Sequence, residues 1–142
     1  MIAKLEALIM ALTLFFVGLF YGDEPVKVEF TATTSETVIS AGDSFNIAYT
    51  CVNKGKPFKG FCHDTPFINF VNSETGEIVN KYSVEGIFSD CAGHYFLVKT
   101  DDAFCGGSLK ITFPEDITPG TYDITFSMYD CTQVFEDAIT VK

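Results

Sequence analysis

Thr121-Tyr122-Asp123-Ile124-Thr125-Phe126-Ser127-Met128 alternates polar and apolar residues without a break. Successive side chains of a β-strand point to opposite faces. Tyr122, Ile124, Phe126 and Met128 therefore read as one buried face, and Thr121, Asp123, Thr125 and Ser127 as the other. The same alternation extends in both directions. Val134 to Val141 closes the chain as a strand, and Leu109 to Phe113 precedes the stop signal Pro114-Glu115-Asp116. His94 to Thr100 supplies another strand, while Phe67 to Val71 and Ile78 to Tyr82 read as a hairpin around Ser73-Glu74-Thr75-Gly76. Phe45, Ile47, Tyr49 and Cys51 share a face of a strand launched by Ala41-Gly42-Asp43, and Val26, Val28 and Phe30 share a face of the first. No segment after Asp23 has helical periodicity. About seven or eight short strands separated by turn signals predict a mainly β chain with one antiparallel, immunoglobulin-like sandwich over residues 26–142.

Residues 1–22, MIAKLEALIMALTLFFVGLFYG, differ in kind from everything that follows. Lys4 and Glu6 are their only charges, and none occurs from Ala7 to Gly22. As an α-helix the segment would be about 30 Å long, which is bilayer scale. Three fates compete. A secretory signal peptide would have a weak basic start at Lys4, and cutting after Gly22 or Gly18 would put Phe20 or Phe16 where a small residue is wanted. A membrane anchor would have an uncharged run somewhat shorter than the roughly 20 residues usually needed. The third fate is a helix that inserts transiently in the membrane and is then extracted to pack against copies of itself. Asp23-Glu24-Pro25 would be the hinge between this helix and the sandwich.

Composition narrows the function classes. Lys4 and Glu6 cancel, so the formal net charge of −10 lies on the hinge and sandwich, residues 23–142, which have no arginine. Phosphate backbones need a basic face, so nucleic acid is not an expected partner. The roughly 120 residues after the hinge suffice for one core. Fifteen phenylalanines exceed what a small core strictly requires, and the surplus would suit a lipid cavity or a subunit interface.

Lys4-Leu5-Glu6-Ala7-Leu8-Ile9 followed by Met10-Ala11-Leu12-Thr13-Leu14-Phe15-Phe16 resembles the N-terminus of archaeal type IV pilin-like and archaellin-like proteins. That resemblance implies an extracellular, cell-surface filament subunit for adhesion or motility, partnered by copies of itself in a helical homopolymer. Ile2, Leu5, Leu8, Ile9, Leu12, Phe15, Phe16, Leu19 and Phe20 would then form the filament core, with Glu6 neutralising a neighbour's N-terminal amine or Lys4. The basic leader ending in Lys/Arg-Gly that precedes the helix in that family has no counterpart before Met1. Ile117-Thr118-Pro119-Gly120-Thr121-Tyr122 resembles the tyrosine corner of immunoglobulin-like sandwiches, where a Tyr hydroxyl bonds back to upstream backbone. Gly42-Asp43-Ser44-Phe45-Asn46-Ile47 and Cys51-Val52-Asn53-Lys54-Gly55 resemble the second strand and following turn of cell-surface modules of that class. The rival reading is a secreted or membrane-anchored sandwich that binds a lipid or protein ligand.

Five cysteines in one small domain behind a hydrophobic segment point to an oxidising compartment and disulfides. A Cys51–Cys131 bridge is disfavoured by parity, because Cys131 counts in phase with Thr125, Ser127 and Tyr129. Local pairs are simpler: Cys51 with Cys62 and Cys91 with Cys105, leaving Cys131 spare. Gly106-Gly107 reads as a turn. No phosphate-binding loop, nucleophile elbow, HExxH or dinucleotide fingerprint is present, so no enzymatic activity and no cofactor are expected. His63 beside Cys62 and Asp64, and His94 near Asp90 and Cys91, lack a recognised metal-ligand spacing. Asp101-Asp102 and Asp23-Glu24 read as solvated turns before they read as calcium ligands.

Overall fold

The computed structural model describes residues 2–21, 25–62, 64–86 and 95–142, with the helical side chains described as far as Phe16. One helix, α1 (Ile2–Tyr21), precedes ten strands among the described residues. These are β1 (Val28–Thr34), β2 (Val38–Ile39), β3 (Ser44–Asn53), β4 (Phe58–Phe61) and β5 (Phe67–Asn72). They continue as β6 (Ser83–Gly86), β7 (Tyr95–Val98), β8 (Ala103–Thr112), β9 (Gly120–Met128) and β10 (Cys131–Val141). The chain is mainly β, as the alternation predicts.

Two four-stranded sheets form the body, one in the order β1-β3-β8-β6 and the other β2-β10-β9-β5. Neighbours are antiparallel except β2, which runs parallel to β10. With β1, β3, β8 and β6 as strands A, B, E and D, and β5, β9 and β10 as C, F and G, these are the strand orders of an immunoglobulin sandwich. A separate ribbon pairs β4 with β7, and α1 rests against that ribbon.

Packing between the sheets follows from the period-two pattern. Phe45, Ile47, Tyr49 and Cys51 of β3 are all buried, as are Tyr122, Ile124, Phe126 and Met128 of β9. Rings meet across the interface: Phe30 with Phe126 at 5.8 Å, Tyr49 with Phe126 at 5.8 Å, and Phe45 with Phe70 at 5.9 Å between centroids. Each such pair adds about 0.5–1.5 kcal/mol to the burial of its area. Phe30, Phe45, Phe70, Phe113 and Phe126 are thus fully buried in the core between the sheets.

Polar groups are placed to match. The Tyr122 hydroxyl donates to the Thr118 carbonyl, closing the expected tyrosine corner. Asn53 is fully buried at the end of β3; its amide donates to Lys56 O and Lys99 O, and its Oδ1 accepts from Gly55 N. The exposed edge of β1 is bound by side chains of β10, since Val28 N donates to Cys131 Sγ at 3.3 Å and Phe30 N to Gln133 Oε1 at 3.1 Å. An edge strand with its donors occupied offers little to a foreign strand.

Three local expectations are corrected. The hairpin after β5 shrinks to one bridge, Val71 with Ile78, and the chain then crosses to the other sheet as β6. Gly106-Gly107 is not a turn but lies inside β8, opposite Thr50 and Tyr49. A Cβ on Gly106 would sit 2.9 Å from Tyr49 O, so glycine serves close backbone approach here. Cys131 is also on the other face from its parity. Tyr129 and Asp130, with φ of 50° and 62°, make a two-residue hairpin turn, which sets Cys131 opposite buried Met128.

Candidate functional site

The surface of α1 is the first candidate. Residues three and four apart share a helix face, and Ile2, Leu5, Leu8, Ile9, Leu12 and Phe15 form such a stripe. Each of them is more than 45% exposed, and Phe15 reaches 64%. Thr13 and Leu14 are only half-exposed. Phe16 packs edge-to-face on Phe15 at 5.8 Å and is itself largely exposed. Lys4 and Glu6 are exposed at the start of the helix. Of the expected filament-core set, the side chains of Leu19 and Phe20 lie outside the described residues. The hinge residues Asp23 and Glu24 lie outside them as well. Among the described residues no helix is long and apolar enough to cross a membrane.

The second candidate lies at the opposite end of β3 from Phe45, where sequence reasoning placed its cysteines in the wrong pairs. Cys51 and Cys105 are free thiols, which rules out bridges from Cys51 to Cys62 and from Cys91 to Cys105. Cys62 is disulfide-bonded, whereas Cys91 lies outside the described residues. Cys51 and Cys105 instead face each other as register partners across β3 and β8. The signal was hidden by Gly106-Gly107: taken as a turn, the pair cuts β8 short at Leu109 and leaves Cys105 in a loop. Cys131 is free, as expected of the spare cysteine, and its thiol donates to Val26 O at 3.1 Å.

The thiol pair has a built environment. Cys105 Sγ donates to Asp64 O at 3.3 Å and lies 3.9 Å from the Tyr49 hydroxyl. The Tyr129 hydroxyl donates to the Asp64 carboxylate. Phe58 packs edge-on against Phe104 at 5.2 Å and Tyr129 at 5.3 Å, so β4 is pinned beside the pair. The register slips next to the thiols, because Cys51 pairs with Cys105 but Val52 with Ala103, leaving Phe104 as the bulged residue. A hydrogen bond from the Cys51 thiol lowers the Cys105 pKa from the ordinary 9.0 to about 7, against the opposing effect of burial and of the Asp64 charge. The same bond, together with burial, raises that of Cys51. Burial raises Tyr49 and Tyr129, so both phenols stay neutral through the physiological range.

Other expected sites are simpler. Asp101 pairs with Lys54 at 3.1 Å, and Asp102 Oδ2 accepts from Lys99 N at 2.9 Å, so both carboxylates serve the turn before β8. His63, Asp90, Cys91 and His94 lie outside the described residues. Among the described residues no cluster of three or more His, Cys, Asp or Glu could hold a metal ion.

No family model and no curated protein matches the chain. Among solved structures it is similar to a family 123 glycoside hydrolase from Clostridium perfringens, described for glycolipid glycan hydrolysis. The TM-score is 0.37 at 12% identity, covering 79% of this chain and 26% of that one. A likeness that slight carries no argument about activity.

Proposed function

We propose that the protein is a structural subunit of an extracellular filament, type IV pilus-like or archaellum-like, serving adhesion or motility. The observation that carries the reading is the exposed stripe Ile2-Leu5-Leu8-Ile9-Leu12-Phe15 on a helix that, among the described residues, makes its main contacts with the β4–β7 ribbon. Apolar side chains at this spacing are the surface that another helix packs against. Ala3, Ala7 and Ala11, four residues apart, let a neighbouring helix come close. In the assembly the α1 helices of many copies bury each other's stripes, and the acidic sandwich faces solvent. Glu6 sets the axial register by pairing with Lys4 or the N-terminal amine of an adjacent copy.

Protein recovered from the cell surface tests this directly. Intact mass should include Leu5 to Gly22, and electron micrographs should show filaments. A mature N-terminus at or after Asp23 would overturn the reading and leave a secreted binding module. Glu6→Gln keeps the side chain's size but removes its charge, and losing one partner of a buried pair costs about 3–5 kcal/mol. Filaments of that variant should be scarce, short or irregular, while the sandwich keeps its melting temperature. Normal filaments would show that Glu6 is merely an exposed charge at a helix end.

A further inference from the structure

We propose that Cys51 and Cys105 are a redox pair that reduces a low-molecular-weight disulfide and closes into a cross-strand bridge, Cys105 being the entry thiol and Cys51 the resolving one. The inference is independent of what α1 builds. Directly opposed residues of antiparallel strands have Cα atoms about 4.5–5.5 Å apart, and a disulfide accepts about 4.4–6.8 Å, so the bridge needs no movement of the strands. Register alone puts these two cysteines in that relation. The pair is asymmetric in access: Cys51 is 0% exposed, whereas Cys105 is half-buried beside the Phe104 bulge. An outside disulfide can therefore reach only Cys105. Bulges commonly re-aim a side chain at a functional position.

The chemistry closes without a further reactant. The Cys105 thiolate attacks one sulfur of a disulfide RSSR, forming the mixed disulfide Cys105-S-S-R and expelling RS⁻. Cys51 then gives up its proton and attacks the Cys105 sulfur, expelling the second RS⁻. Two protein thiols are oxidised, one disulfide is reduced, and the two protons end on two RSH molecules. Among the described residues Tyr49, Asp64 and Tyr129 are the titratable groups facing the pair, and the phenols remain neutral, so the pH dependence is assigned to the thiols. Cys131 has its own backbone partners at Val26 and Val28, and provides an internal control for unspecific oxidation.

The full chain, with its Cys62 disulfide intact, is incubated with glutathione disulfide and sampled by intact mass and non-reduced peptide mapping. A glutathione adduct at Cys105 should appear first and give way to a linked Cys51–Cys105 peptide, while Cys131 remains alkylatable. The rate should be half-maximal near pH 7 and level off above it, because the attacking species is the thiolate. In Cys51→Ala the Cys105 adduct should accumulate unresolved, and the midpoint should move up toward the ordinary 9.0 because the donated hydrogen bond is gone. Should that buried substitution prevent folding, the order of adducts in the wild-type time course decides by itself. In Cys105→Ala no adduct should form at Cys51. The proposal is overturned if Cys51 and Cys105 both stay alkylatable after the incubation, or if Cys51 takes up glutathione before or without Cys105.

Discussion

Phe70 and Phe15 are the same side chain in opposite circumstances. Phe70 is 0% exposed, with Phe45, Phe113 and Tyr82 around it, while Phe15 is 64% exposed on α1. The sandwich strands alternate, so each apolar face has a polar back and finds its partner in the opposing sheet of the same chain. α1 is apolar along almost its whole length, and among the described residues it rests mainly on the β4–β7 ribbon. Hydrophobicity of similar strength therefore has two uses here. In the sandwich it encodes a fold, and in the helix it leaves an exposed apolar surface, the one on which the proposed assembly rests.

The largest expected effect separates the two regions. Phe70→Ala should cost the sandwich about 3–5 kcal/mol by removing buried area and leaving a cavity. Phe15→Ala should change its stability by less than about 0.5 kcal/mol, as exposed substitutions do, while weakening assembly. Urea denaturation of both variants measures the contrast. A loss of stability in Phe15→Ala comparable with that in Phe70→Ala would place α1 inside the core of the sandwich and end the comparison.

A smaller effect sharpens what holds the sandwich sheet together near the thiols. Gly106→Ala should cost about 1–3 kcal/mol, because the new methyl group meets backbone, Tyr49 O, at 2.9 Å and not a side chain that can swing aside. The matching substitution in the helix, Leu12→Ala, removes an exposed side chain and should leave the same denaturation curve in place. A wild-type curve for Gly106→Ala would mean that β3 and β8 can separate locally without loss.

Legibility followed how local each signal was. β9 and β3 were readable because alternation over four apolar positions fixes both strand and inward face, and the tyrosine corner because Tyr122 and Thr118 are only four residues apart. β2, β4 and β6 were missed, since two residues carry no periodicity and Phe58-Lys59-Gly60-Phe61 and Ser83-Val84-Glu85-Gly86 hold no alternating apolar run. The thiol pair was missed for a different reason. Cys51 and Cys105 meet only through the register of two strands far apart in sequence, and that register passes through a glycine pair that resembles a turn. The helix stripe was legible residue by residue, whereas its burial by other copies is a proposal about assembly.

The smallest effect expected compares one hydrogen bond in each region. Tyr122→Phe keeps the ring that packs 5.9 Å from Phe113 and removes only the hydroxyl that donates to Thr118 O. Thr118 is exposed, so water can replace the lost donor and the cost should stay at about 0.5–1.5 kcal/mol. Thr13→Val in α1 likewise removes one side-chain donor, the hydroxyl that bonds Ile9 O at 2.8 Å. Its effect on the sandwich should be nil, because that bond stays within the helix. The urea midpoint should therefore fall for Tyr122→Phe with an unchanged slope, and should not move for Thr13→Val. An unchanged midpoint for Tyr122→Phe would show that the corner is held by ring packing alone, whereas a shifted one for Thr13→Val would show that the helix contributes to the sandwich through its contact with the β4–β7 ribbon.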